Sequence, residues 1–135
     1  MNPTLAPQAY KESAVLTAPP ERLVVMLYDG IQRFLFQATV AMRDGNIEQS
    51  NNRLQRAEAI IDELNTTLDM SQGQVAERLR ALYNFSKRHL MQARIQRNPE
   101  MIEETAKLLD TVGDAWRQIA GACAIPTSGS SSSAN

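Results

Sequence analysis

The side chains best suited to bond-making or metal chemistry are few: His89, Cys123 and the carboxylates Glu58, Asp62 and Glu63. A cysteine nucleophile needs a base within reach, and no histidine lies near Cys123 in sequence. A di-metal site inside a helical bundle needs Glu-x-x-His pairs, but the residue three before His89 is Ser86. No Cys/His cluster has metal-ligand spacing. Gly73 and Gly113 stand alone, so no glycine-rich loop is available to cradle a phosphate. Glu58, Asp62 and Glu63 share their segment with Arg53 and Arg56 and read as a solvated, charge-balanced face. His89 reads as a border residue bonded to a neighbour or to water, and Cys123 as a small semi-apolar residue at a fraying helix end. The expectation is no catalytic residue, no metal site and no cofactor.

Composition narrows the class further. The chain has 135 residues and 15.0 kDa, which is one domain. Fourteen Lys and Arg stand against fifteen Asp and Glu, a formal charge of -1, with the signs interleaved. A nucleic-acid binder shows a basic stripe, and none is present. The longest strongly apolar run, Leu23 to Tyr28, is far below the ~20 residues that span a bilayer, so no membrane insertion is expected. Met1 to Ser13 has neither the basic nor the apolar region of a secretory signal. A single cysteine cannot form an internal disulfide. These features predict a cytoplasmic location.

Four punctuated segments must position whatever site exists. Thr17-Ala18-Pro19-Pro20 opens a helix that Asp44-Gly45 closes. Asn46 with Gln49 opens a second in the capping-box relation, running to about Leu68. Ser71 with Gln74 repeats the device for a third, ending near Arg97, and Asn98-Pro99 starts a fourth that continues to about Ala122. Apolar residues recur at three and four: Ile47, Leu54, Ala57, Ile61, Leu64, Leu68; then Val75, Leu79, Leu82, Leu90, Ala93; then Ile102, Leu109, Val112, Trp116, Ile119. Four such helices, each about 35 Å long and joined by short turns, predict an all-α fold, an antiparallel up-down four-helix bundle over residues 19–122. Residues 1–18, rich in proline, allow a short helix around Ala9 to Leu16 and form an N-terminal cap segment. Residues 123–135, rich in serine, read as a disordered tail.

The first helix carries more apolar surface than a core requires. Leu23, Leu27, Ile31, Phe34, Ala38 and Ala41 already make a wide stripe, yet Val25, Met26, Phe36 and Val40 point the other way. A helix apolar nearly all round is covered by something: here the N-terminal segment or a separate partner. Methionines at 26, 42, 70, 91 and 101 suit either gap-filling or an adaptable binding surface. Gly30 sits mid-helix at a cost of about 1 kcal/mol against alanine, which predicts a notch for an approaching backbone. Asp29 and Arg33 are spaced to pair along the helix.

Met26-Leu27-Tyr28-Asp29-Gly30 followed by Arg33-Phe34-Leu35 resembles the signature of the flagellar secretion chaperone family FliS. Ala9-Tyr10, Thr17-Ala18, Ala57 to Leu64, Leu68-Asp69, Leu82-Tyr83 and Ala115-Trp116 are similar to it in order and spacing, so the likeness covers about Ala9 to Ile119. The resemblance implies a small cytoplasmic bundle that holds the C-terminal segment of flagellin in surface grooves. It thereby prevents premature polymerisation and delivers flagellin to the flagellar type III export apparatus, with the export gate as a further partner of the loaded chaperone. It implies Tyr10 in an N-terminal cap, Tyr28, Asp29, Gly30, Phe34 and Leu35 building or supporting a groove, and Ile60, Leu64, Leu68, Leu82 and Tyr83 beside it. Val25 joins this partner-binding set from the surplus face of the first helix. The free protein is expected as a monomer or weak dimer, and a generic helical adaptor or homodimerisation module is the alternative.

Overall fold

The computed structural model describes residues 20–128, with side chains through Gly121. Four helices account for nearly all of it: α1 (Pro20–Arg43), α2 (Ile47–Thr66), α3 (Gln74–Gln96) and α4 (Pro99–Ser128), with a 3-10 turn at Met70–Gln72. No strand occurs among the described residues. Tyr10, the N-terminal cap segment and residues 129–135 lie outside the described residues, as does the side chain of Cys123. The backbone of α4 continues to Ser128, beyond the Ala122 expected as its end, so the tail does not begin at residue 123.

Local hydrogen bonds explain most of the helix ends. After α1, Gly45 takes φ +77°, a conformation that costs glycine no Cβ clash. Its N–H bonds Met42 O at 3.1 Å, and the Asn46 N–H bonds Ala41 O at 2.8 Å, satisfying two last-turn carbonyls in a Schellman motif. The Asn46 side chain then accepts from the Gln49 N–H, and Asn98 accepts from the Glu100 N–H, as the residue types predict. The start of α3 differs. Ser71 does not cap it: Asp69 accepts from the Ser71 N–H at 3.0 Å and caps the 3-10 turn instead. Helix α2 stops at Thr66, and residues 67–73 form a longer connection than the other two.

The chain runs up and down. Glu58, Asp62 and Asn65 on α2 meet Arg94, Lys87 and Asn84 on α3, falling numbers against rising ones. These pairs show that Glu58 and Asp62 bridge helices and do not simply form a solvated face. Helix α1 packs along broad faces of α2 and α4, tied to α4 by Arg43 with Glu103 (2.7 Å) and by Gln32 to Ala106 O (2.8 Å). Helix α3 stands diagonally across from α1 and meets α2 and α4 over smaller faces. His89 borders this packing, bonded to Glu104 and stacked on Phe85.

The core is apolar but rotated from expectation on two helices. On α1 it consists of Tyr28, Ile31, Leu35, Ala38 and Ala41, while Leu23, Leu27 and Phe34 are half-buried. On α3 it is Ala76, Tyr83, Ser86, Leu90 and Ala93, which turns Val75 to the surface. Gly113 explains how Tyr28 reaches the centre. A Cβ on residue 113 would lie 3.2 Å from Tyr28 Cδ1 and 3.3 Å from its Cβ, a tight contact against a buried ring. Gly30 is a milder case, since its Cβ would meet only the terminal methyl of Ile60, at 3.0 Å. The notch expected at Gly30 is therefore filled by Ile60 from the same chain, not left for another backbone.

Gly113→Ala is expected to lower the melting midpoint by roughly 3–8 °C, because overpacking against Tyr28 outweighs the gain in helix propensity. Gly30→Ala changes it far less. Thermal unfolding followed by circular dichroism decides, and an unchanged midpoint for Gly113→Ala would contradict the wedge.

Candidate functional site

An apolar depression opens at one end of the bundle, where α1 and α3 begin and α2 ends, with Trp116 contributed by α4. It encloses about 410 Å³. Val24, Leu64, Leu68, Val75, Leu79 and Trp116 supply apolar walls, Ala76 and Tyr83 the floor, and Thr67, Asp69 and Gln72 a polar rim. Local structure explains the opening. The residue 67–73 connection spreads α2 from α3, and the Asp69 cap holds that connection in shape. Val75 on the first turn of α3 is 65% exposed.

The rim is anionic. Asp69 accepts from the Ser71 hydroxyl at 2.6 Å and from the Gln72 amide, and the first of these chiefly holds its carboxyl below the usual carboxylate range. The floor has a polar anchor. The hydroxyls of Tyr28 and Tyr83 are 2.6 Å apart, with Tyr28 0% and Tyr83 2% exposed. Two hydroxyls carry two protons for one bond. Either oxygen can be the donor. Burial pushes both phenols above their ordinary value, and for Tyr28 the bond to Tyr83 adds to the effect.

Of the residues expected to bind a partner, Leu64, Leu68 and Tyr83 come together in this groove. Leu82 is half-buried on the next position of α3, outside its lining. Val25 is half-buried beside the lining residue Val24. Tyr28 and Leu35 are enclosed completely, so they support the surface and cannot touch a partner in this state. Gly30 and Ile60 pack against each other between α1 and α2. Phe34 is half-buried, with the guanidinium groups of Arg33 and Arg56 at 5.4 and 6.0 Å from its ring centre. Asp29 does not pair with Arg33: Arg117 on α4 takes it at 3.0 Å and bonds Asp110 as well.

The sequence reading missed Val24, Val75, Leu79 and Trp116 as groove residues because it assigned the last three to the core stripe. The one available signal was width: apolar residues at 75, 76, 79, 82 and 83 cover more of α3 than a single seam can bury. On α1, Phe36 (71% exposed) and Val40 (44%) remain uncovered by the described residues, as their pattern predicts. No group of His, Cys, Asp and Glu among the described residues is arranged to hold a metal ion, and no described helix is long and apolar enough to cross a membrane. What the groove offers chemically is sequestration of an apolar segment.

Comparison with known proteins points the same way. The family model of the flagellar protein FliS matches residues 3–122. The chain is 36% identical over 114 residues to the flagellar secretion chaperone FliS of Salmonella typhimurium, covering 83% of this chain and 84% of the relative. It is 34% identical to that of Bacillus subtilis over 110 residues (82% of each) and 36% identical to that of Campylobacter jejuni over 120 residues (88% and 94%).

Stability at alkaline pH tests the buried pair. Unfolded tyrosine ionises near about pH 10. Both phenols are raised in the fold, so their contribution is complete below that pH and erodes above it, because the unfolded state loses its protons first. The melting midpoint of the wild-type protein should fall more steeply between about pH 9 and 11 than that of the Tyr28→Phe/Tyr83→Phe double variant. Parallel curves would contradict the assignment.

Proposed function

The chain belongs to the FliS family of flagellar secretion chaperones, and on that premise we propose that its end groove holds the C-terminal segment of flagellin until export. The observation that carries this reading is the groove itself: apolar walls, a half-buried tryptophan and an exposed Val75, with room for the face of a helix. Helix-in-groove recognition needs such a surface and anchors spaced at three and four. The covered segment is then withheld from other flagellin copies, which prevents premature polymerisation by mass action. Coupled folding and binding commonly buries about 1,000–3,000 Å² and loses several kcal/mol to ordering, so affinity is set by anchors more than by area. FliS is a chaperone family rather than an enzyme family, and sequestration requires no reacting group.

Chain geometry supports a cap. The chain enters α1 at Pro20, one turn before the groove wall at Val24. Residues 1–18, with Leu5, Tyr10, Val15 and Leu16, can therefore compete for the groove, and the fraction of time they occupy it lowers the apparent affinity for flagellin. In this reading the loaded chaperone acts in the cytoplasm and presents flagellin to the export gate. The free protein is a monomer or weak dimer in this reading.

Isothermal calorimetry against purified flagellin should give saturable binding to the full-length client and none to flagellin lacking its C-terminal end. Equal affinity for both would overturn the reading. Val75→Asp, which places a charge on the groove wall, should weaken binding at least tenfold with little change in melting, since Val75 is already solvated. Deleting residues 1–18 should change the dissociation constant while leaving the bundle folded; equal binding and equal melting would refute the cap.

A further inference from the structure

The groove's α3 wall is the part of the bundle least held by packing. Helix α1 is clasped by α2 and α4, whereas α3 meets its two neighbours over small faces and lies diagonally opposite α1. Its attachments to α2 at Lys87 and Arg94, and to α4 at His89, lie in its second half, and Asn84 bonds Asn65 of α2 at 3.1 Å near its middle. The first half, which carries Val75, Ala76 and Leu79 into the groove, has no ion pair among the described residues. The polar attachments nearest to it are the exposed Asn84–Asn65 bond and the buried Tyr83, bonded across the bundle diagonal to Tyr28 at 2.6 Å. Tyr28 in turn rests on Gly113 of α4, where a Cβ would lie 3.2 Å from its ring.

We propose that the Tyr28–Tyr83 hydrogen bond fixes the width of the groove, with Tyr28 and Gly113 acting as positioning residues for the bound segment although neither lines the groove. The packing of Tyr28 on Gly113 sets how far its hydroxyl reaches, the hydroxyl sets where Tyr83 sits, and Tyr83 sets the distance of α3 from Leu64, Leu68 and Trp116. A buried directional bond at the floor keeps the wall in place and an apolar groove open to its partner. Without that bond the free protein's apolar walls collapse onto one another or splay apart, and either change lowers complementarity to a helix.

The test uses the full-length protein, with Tyr28→Phe, Tyr83→Phe and the double variant beside Leu54→Val, a core change in the first half of α2 and outside the groove lining. Amide hydrogen exchange in the free protein should quicken about two- to tenfold over residues 74–82 in all three tyrosine variants. Amides of α1 and of the first half of α2 should be unaltered. Leu54→Val should not show this local pattern. Because the double variant leaves no orphaned hydroxyl, the same local loosening there identifies the bond itself as the cause. Uniform acceleration along every helix, or no change over 74–82, overturns the proposal.

The binding half rests on the flagellin reading and is measured separately. The tyrosine variants should bind flagellin about two- to tenfold more weakly, and Leu54→Val should bind as the wild type does. Loosened α3 with unchanged affinity refutes the link from bond to groove. Failure of the wild-type protein to bind flagellin refutes the flagellin reading, while the exchange result still decides whether the bond holds α3.

Discussion

A phenol at the centre of the bundle governs much of this structure. Tyr28 is enclosed on every side, and its hydroxyl must find a partner within the protein or leave a buried donor unsatisfied, which costs about 1–3 kcal/mol. Tyr83 meets that need from the opposite corner of the bundle. The ring has room because residue 113 is glycine, which lets α4 approach α1 more closely than alanine would. Three residues on three helices thus satisfy one constraint together. The consequence is geometric: α3, which has little broad packing of its own, is registered against α1 through a directional bond.

That arrangement leaves apolar surface uncovered at one end and covered elsewhere. The α1–α2–α4 trio closes tightly around Ile31, Leu35, Leu54, Ile61 and Leu109. The end where α2 hands over to α3 stays open, because residues 67–73 form a polar turn held by Asp69 and Ser71. The bulk of the core and the open groove therefore lie in different parts of the bundle and meet at Leu64, Ala76 and Tyr83, which belong to both. The charged ties between helices lie on the exterior, and exposed pairs of this kind contribute little each; they favour register over stability.

The chain's local hydrogen-bonding chemistry was legible from residue types. Gly45, Asn46 and Asn98 end and start helices where their side chains and conformational freedom dictate, because a cap depends on residues within four positions of itself. Where two candidates lay close together, the choice was not legible: Ser71 is flanked by Asp69, whose carboxylate is the stronger acceptor and takes the Ser71 N–H for the 3-10 turn. Of the groove lining, Leu64, Leu68 and Tyr83 were named through the family resemblance, whereas Leu35 and Gly30 lie buried on α1 and Phe34 is half-buried.

Sequence by itself determined that there are four helices, roughly where each begins and ends, and that the first carries an apolar surplus outward at Phe36 and Val40. Periodicity is sufficient for that, since an apolar face at 100° per residue needs no knowledge of neighbours. The tertiary structure decided which edge of a wide face turns inward: Ala76 and Tyr83 rather than Val75 and Leu82, Tyr28 and Leu35 rather than Leu27 and Phe34. It also decided that Asp29 answers Arg117 across the bundle and not Arg33 one turn away. Those choices rest on close packing and on partners distant in sequence, where a step of one residue exchanges core for surface.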